Sequence, residues 1–150
     1  MKAELLAALA ETQGDFDKSL AVILRHFNAQ VGTIHTIEAD GMLHMCAHTP
    51  GMPEPILAAT RLIPIGKGMA GLAVERKTPV NVCNIEQDKS GDVRPAAKCL
   101  GPLGSLCVPM MDGDRAVGAL GIASVGERTF TAEEIDALLA AGKSLARYVR

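Results

Sequence analysis

The chain has 150 residues, 48% hydrophobic but only 3% aromatic, and its 15 basic and 17 acidic side chains leave a formal net charge of −2. That length suits one domain over 1–150, burying roughly two-thirds of its unfolded surface around one core. Balanced charge without a run of like sign, and the scarcity of aromatic rings, argue against nucleic-acid partners, while no stretch approaches the roughly 20 uninterrupted apolar residues of a membrane helix.

The opening residues Met-Lys-Ala-Glu-Leu-Leu lack the basic flank, apolar run and cleavage site of a secretory signal. Cys46, Cys83, Cys99 and Cys107 form no Cys-x-x-Cys pair, and a dispersed set of this kind reads as thiols in a reducing compartment. The expected location is the cytoplasm.

Two helices are expected within 1–29. Leu5, Leu6 and Leu9 mark the first; Gly14 breaks it; and Asp15 is placed to cap a second carrying Phe16, Leu20, Ile23, Leu24 and Phe27 at helical spacing. Val31–Glu38 and Met42–Thr49 around Ala39-Asp40-Gly41 predict a hairpin. Pro50, Gly51, Pro53 and Pro55 predict an irregular loop from Thr49 to Ile56, because prolines lack a donor and restrict their predecessors. After Gly66-Lys67-Gly68 a short helix runs to Arg76, and Pro79–Cys83 reads as a brief strand.

Asn84–Gly104 is polar and broken by Gly91, Pro95, Gly101 and Pro102, with a helical turn expected around Arg94–Leu100. Long irregular segments in compact domains are usually functional or mobile. Ser105–Met111 and Ala116–Ser124 flank Asp112-Gly113-Asp114, a strong hairpin signal. Thr131-Ala-Glu-Glu134 is a capping box that opens the last helix within 130–149; its apolar face carries Ile135, Leu138, Leu139, Leu145 and Val149, and a second face carries the small residues Ala137, Ala140, Ala141 and Ser144. Hairpins between terminal helices predict an α+β fold with an antiparallel sheet rather than βαβ units.

Some motifs carry less than their spelling suggests. Gly66-Lys-Gly68-Met-Ala-Gly71 has the dinucleotide-binding spacing, with Glu86 near the expected later position. Pro64 interrupts the strand that should precede it, and the helix that follows ends before Thr78-Pro79, too soon for a crossover. The simpler reading gives these glycines tight turning and close packing. His44, Cys46 and His48 alternate along one strand, with His35 on its partner. Strand rise separates His44 from His48 by roughly 13 Å, so a metal site here would be limited to a set such as His35, His44 and Cys46. Polar residues lining a pocket or facing solvent explain the pattern without a metal, and no cofactor is expected.

From Leu62 to Val149 the sequence resembles the GAF domain family in wording and order. It reads Ile-Pro-Ile-Gly-Lys-Gly-Met-Ala-Gly-Leu-Ala, then Pro-Val-Asn-Val, Ser-Leu-Cys-Val-Pro-Met, Ala-Val-Gly-Ala-Leu-Gly-Ile-Ala-Ser and Phe-Thr-Ala-Glu-Glu-Ile. The resemblance implies a profilin- or PAS-like antiparallel sheet of about six strands, with the terminal helices on one face and a ligand pocket on the other. It also implies a sensory domain that binds a small molecule and signals to an effector protein; the terminal helices themselves add the expectation of a homodimer. Asn84, Asp88, Arg94, Lys98, Cys99, Cys107 and Ser124 are the expected ligand contacts, being polar or reactive near the presumed cleft. The small-residue face of the last helix, with Leu5, Leu6 and Leu9, is the expected dimer surface.

One branch of the family, the free methionine-R-sulfoxide reductases, supplies the alternative of a thiol enzyme with Cys99 as nucleophile, beside Lys98 and Arg94, and Cys83 or Cys107 resolving it. This sequence departs from that pattern at Met69, where the turn cysteine is expected, at Leu106, where a Glu should follow the serine, and at Gly121 and Ala123, where acids are expected. The cyclic-nucleotide signature of other members is missing. A bilin attachment site is not matched either, since Ala47 separates Cys46 from His48.

Overall fold

A computed structural model describes residues 2–93, 98, 101 and 103–149. The leading helices α1 (Lys2–Ala10) and α2 (Phe16–Phe27) are followed by the antiparallel pair β1 (Val31–Ile37) and β2 (Leu43–His48). Next come α3 (Glu54–Thr60), the two-residue β3 (Leu62–Ile63), α4 (Gly68–Arg76) and β4 (Val80–Val82). The long hairpin β5 (Leu103–Asp112) and β6 (Arg115–Val125) precedes α5 (Ala132–Ala146). The strands form one six-stranded sheet in the order β3-β2-β1-β6-β5-β4, with every pairing between these strands antiparallel. The α+β fold and its sheet are those expected.

Local chemistry sets the boundaries. The Asp15 carboxylate accepts from the Lys18 N–H at 3.0 Å, and the left-handed Asn28 ends α2. At α5 the Thr131 hydroxyl accepts from Glu134 N–H at 3.1 Å while the Glu134 carboxylate accepts from Thr131 N–H at 2.9 Å, closing the capping box. In the first turn of α4, a Cβ on Gly71 would lie 2.6 Å from the carbonyl oxygen of Pro64 in the preceding turn. Close packing, not phosphate binding, accounts for that glycine.

The proline-rich stretch corrects one expectation. Instead of an irregular loop to Ile56, α3 begins at Glu54 with Pro53 at its N-cap and Pro55 in its first turn, positions where a helix has no use for the missing donor.

The main core lies between the sheet and α1, α2 and α5. Leu5, Leu9, Leu20, Ile23, Phe27, Leu138 and Leu145 pack there on Ile34, Leu106, Val108, Leu120 and Ile122, and each such side chain taken from water contributes about 1.5–3 kcal/mol. The buried side of α5 is largely its small-residue side: Ala137, Ala141, Gly142 and Ala146 are buried with the two leucines. A Cβ on Gly142 would sit 3.3 Å from the Pro109 carbonyl oxygen, so the absence of a side chain lets α5 lie close on β5. The surface expected to join two copies is therefore largely spent inside one chain, with Leu5, Leu9, Ala137 and Ala141 all buried.

Candidate functional site

The opposite face of the sheet holds a cavity of about 130 Å³. Its floor is set by register. Val31, Ala123 and Ser105 stand side by side across β1, β6 and β5, and Thr33, Gly121 and Cys107 form the next rung. His35 stands one rung further on, opposite Ala119. Period-two alternation sends these residues to one face while Ile34, Ile122 and Leu120 enter the helical core. β6 presents only a hydrogen and a methyl to this face at Gly121 and Ala123, and the Cys107 sulfur leans over Gly121, 2.9 Å from where a Cβ there would stand.

The walls and roof come from elsewhere in the chain. Met52, Ile56 and Thr60 approach from the loop and α3, Gly68 to Ala70 from the start of α4, and Ile85 and Val93 from the segment after β4. That segment is bonded both to its neighbours and to itself. Ile85 N–H donates to the Leu103 carbonyl at 2.9 Å, Arg76 of α4 pairs with Asp92 at 3.3 Å, and Lys98 Nζ donates to the Asp88 carbonyl at 2.7 Å.

Lining polar groups are few, and among the described residues none is an acid, lysine or arginine. His35 is 2% exposed, with Nε2 lying 2.7 Å from the Thr60 carbonyl oxygen. A carbonyl only accepts, so Nε2 carries the proton. Burial drives the imidazole pKa below its ordinary value, against the Thr60 bond, which acts to raise it. His35 is thus neutral, and its buried Nδ1 is an acceptor with no hydrogen-bond partner among the described residues. Burial pushes the Cys107 thiol up to about 12, leaving it protonated and poorly nucleophilic near neutral pH.

The expected contact residues fare unevenly. Cys107 lines the cavity; Arg94 and Cys99 lie outside the described residues, as does nearly all of the helical turn expected around them. Asn84 is spent on structural bonds, donating to Glu127 of the β6–α5 connection at 3.2 Å and accepting from Glu86 N–H of its own loop at 3.1 Å. Asp88 accepts from the Ser90 hydroxyl at 2.6 Å and receives Lys98 at its carbonyl. Ser124 accepts from Arg128 at 2.6 Å, and the same guanidinium holds Glu134 at 2.6 Å, tying β6 to α5. Cys83 is exposed and does not line the cavity.

The expected grouping of His35, His44 and Cys46 is not formed. A bulge between Ile34 and His35 leaves Cys46 without a cross-strand partner, its thiol donating to the Ile34 carbonyl at 3.3 Å. The bulge breaks the alternation. His44 pairs with Thr36 and His35 with Met45, which puts the two imidazoles on opposite faces of the sheet. His44 bonds Asp40 instead, at 2.8 Å, and among the described residues no three His, Cys, Asp or Glu side chains could hold one ion. The lining residues that sequence reasoning passed over, Thr33, Thr60, Ser105, Ile85 and Val93, carried one legible signal. Thr33 and His35 alternate with apolar Ile34, which marks a polar stripe on one face of β1.

A cavity between such a sheet and its covering segment, with both terminal helices behind it, is the arrangement implied by the resemblance, and a family model described as GAF domain matches residues 16–149. The chain belongs to the GAF domain family. Members commonly bind small molecules in signalling. Among solved structures, the GAF domain of a phosphoenolpyruvate-protein phosphotransferase from Coxiella burnetii superposes with a TM-score of 0.80 at 18% identity, over 99% of this chain and 92% of that one. A free methionine-R-sulfoxide reductase from Neisseria meningitidis, solved with its substrate, gives a TM-score of 0.76 at 18% identity, over 99% and 85%. The type II enzyme from Thermoplasma acidophilum gives 0.74 at 16%, over 95% and 94%. At such identities these likenesses show the GAF fold alone. A search of curated protein sequences finds no significant match.

Proposed function

We propose that this GAF domain is a cytoplasmic sensor that binds a small molecule in the cavity between its sheet and the segment after β4, and relays occupancy to an effector protein. The observation that carries the reading is the cavity itself, hollowed by Gly121 and Ala123 and roofed by Ile85 and Val93. Signalling through a helix-mediated homodimer belongs to this reading; of its expected surface, Leu5, Leu9, Ala137 and Ala141 are buried while Leu6, Ala140 and Ser144 stay partly exposed and open to a second copy.

The reductase reading draws support from fold likeness and little from the site. The positions where that branch is expected to carry a cysteine and acids, Met69, Gly121 and Ala123, all line the cavity here with apolar atoms. A charged amino-acid substrate would find no counter-charge among the described lining residues, and an unpaired buried charge is strongly disfavoured. The Cys107 thiol is held protonated, and Cys83 lies outside the cavity.

Native mass spectrometry of freshly purified chain beside the variant Ala123→Leu tests the proposal. A small-molecule adduct on the parent that is lost from the filled variant is the expected outcome; bare mass for both contradicts it. Incubation with free methionine-R-sulfoxide and a thiol reductant should give no turnover.

A further inference from the structure

We infer that Arg128 is the residue through which filling of the cavity is passed to the terminal helices: its backbone is bonded to the segment that roofs the cavity, and its guanidinium to α2 and α5. The inference rests on the ligand-binding reading above and adds the route of the relay. The roof segment is attached at both ends to the same short connection between β6 and α5. Where the chain leaves β4, the Cys83 carbonyl accepts from Arg128 N–H at 3.1 Å; where it enters β5, Gly104 N–H donates to the Gly126 carbonyl at 2.8 Å. Beside them the Asn84 amide donates to Glu127 at 3.2 Å. Ile85 and Leu103, which line the cavity, are bonded to each other at 2.9 Å just inside these attachments. The approach is close, since a Cβ on Gly104 would stand 2.5 Å from Arg128 N. A shift at either end of the roof therefore moves the backbone of 126–128.

The guanidinium carries that movement to the helical side of the sheet. Its Nη1 donates to the Ser124 hydroxyl at 2.6 Å and to the carbonyl of Asn28, the C-cap of α2, at 3.3 Å, while Nη2 donates to the Glu134 carboxylate at 2.6 Å. Glu134 is also the closing member of the α5 capping box. The cation stands 4.3 Å from the centre of the Phe130 ring, which is buried in the helical core. A planar fork held by several acceptors at once has little freedom to turn independently of its backbone, so a displacement of 126–128 is felt at the end of α2 and in the first turn of α5 together. Coupling between two sites needs an element that both of them bias. The connection 126–130 is that element, with the roof bonded to one side of it and the helices to the other. Lysine at 128 would keep the charge but not the fork that holds Ser124, Asn28 and Glu134 together.

Xenon enters dry apolar hollows and serves as the occupant, read by backbone amide spectra of the full chain under increasing gas pressure. In the parent, xenon should move the amides of Ile85, Gly121 and Ala123 at the cavity and, with the same pressure dependence, those of Asn28 and Glu134 beyond Arg128. In Arg128→Lys the cavity amides should still respond while the response at Asn28 and Glu134 is lost. A purely structural arginine would alter the resting spectrum and lower stability but leave that response in place. If Arg128→Lys fails to fold, Glu134→Gln, which keeps a capping-box side chain, should lose the response at position 134 and retain it at Asn28. A response at Asn28 and Glu134 that survives in Arg128→Lys, or one at position 134 that survives in Glu134→Gln, overturns the inference. So does a parent chain in which the cavity amides move and those two stay still; each of these results leaves the cavity a binding site. Cavity amides indifferent to xenon remove the ligand-binding reading, and the inference with it.

Discussion

At the scale of single residues, the charge state of His35 is the most consequential feature. Its pKa is lowered by burial, against the raising effect of the Thr60 carbonyl, so the unfolded chain takes up a proton below about pH 6.5 that the folded chain resists. The unfolded state then binds more protons, and stability falls as pH drops below that value. Glu134 acts in the same direction at lower pH. Desolvation pushes its carboxyl up, but the Thr131 N–H and the Arg128 guanidinium hold it below its usual range, so its contribution is lost only as the carboxylate protonates. Melting curves between about pH 7.5 and 5.5 avoid the carboxylate range, and comparing parent with variant separates His35 from His26, His44 and His48. The His35→Phe variant should lose much less stability across that interval than the parent, and an equal loss in both would contradict a neutral buried His35.

Residue by residue, the sequence was a better guide to caps than to the site. Asp15 and Thr131 cap the helices expected of them, because a cap depends on neighbours three positions away. Asn84, Asp88 and Ser124 are expected at the ligand for their polarity, but a polar side chain is as readily spent on tying one segment of the chain to another. Asn84 bonds Glu127 and Glu86, Asp88 bonds Ser90 and Lys98, and Ser124 bonds Arg128. The apolar minority of that segment, Ile85 and Val93, faces the cavity.

At the scale of elements, α5 joins a measurable cap to a close packing contact. Thr131→Ala removes one half of the capping box and should cost about 1 kcal/mol, seen as a melting temperature about 2–4 °C lower for a chain of this length. Gly142→Leu is expected to be worse, about 1–3 kcal/mol or more, because the Pro109 carbonyl oxygen and Met110 Cγ lie 3.3 and 3.4 Å from the Cβ it would introduce. A Gly142→Leu chain as stable as the parent in urea denaturation would contradict the close approach of α5 to β5. Why the small-residue face turned inward was not legible in the helical pattern, since periodicity shows that α5 has two apolar sides but not which one meets the sheet. The bulge at Cys46 was equally hidden: one extra residue in β2 reverses the side on which His44 lies, and alternation read along a single strand cannot detect it.

At the scale of the whole molecule, the sheet separates two jobs. One face is filled by α1, α2 and α5 in a continuous apolar core, and the other is left hollow beneath a roof of shorter elements. The antiparallel architecture followed from the two hairpins and the terminal helices, while the hollow arises from the cross-strand register of Gly121 and Ala123 with Cys107 and Ser105, a non-local fact. Association belongs to this scale too. Sedimentation of the chain at micromolar concentration should show a dimer that Leu6→Glu weakens, and a monomer throughout would remove the helix-mediated interface.

The cavity itself can be probed without knowing its ligand, because xenon enters dry apolar hollows whatever their natural occupant. A crystal of the full chain pressurised with xenon should show a bound atom beneath Ile85 and Val93, over Gly121 and Ala123. A sheet face on which those side chains have collapsed, with no xenon between them, would contradict the existence of the site.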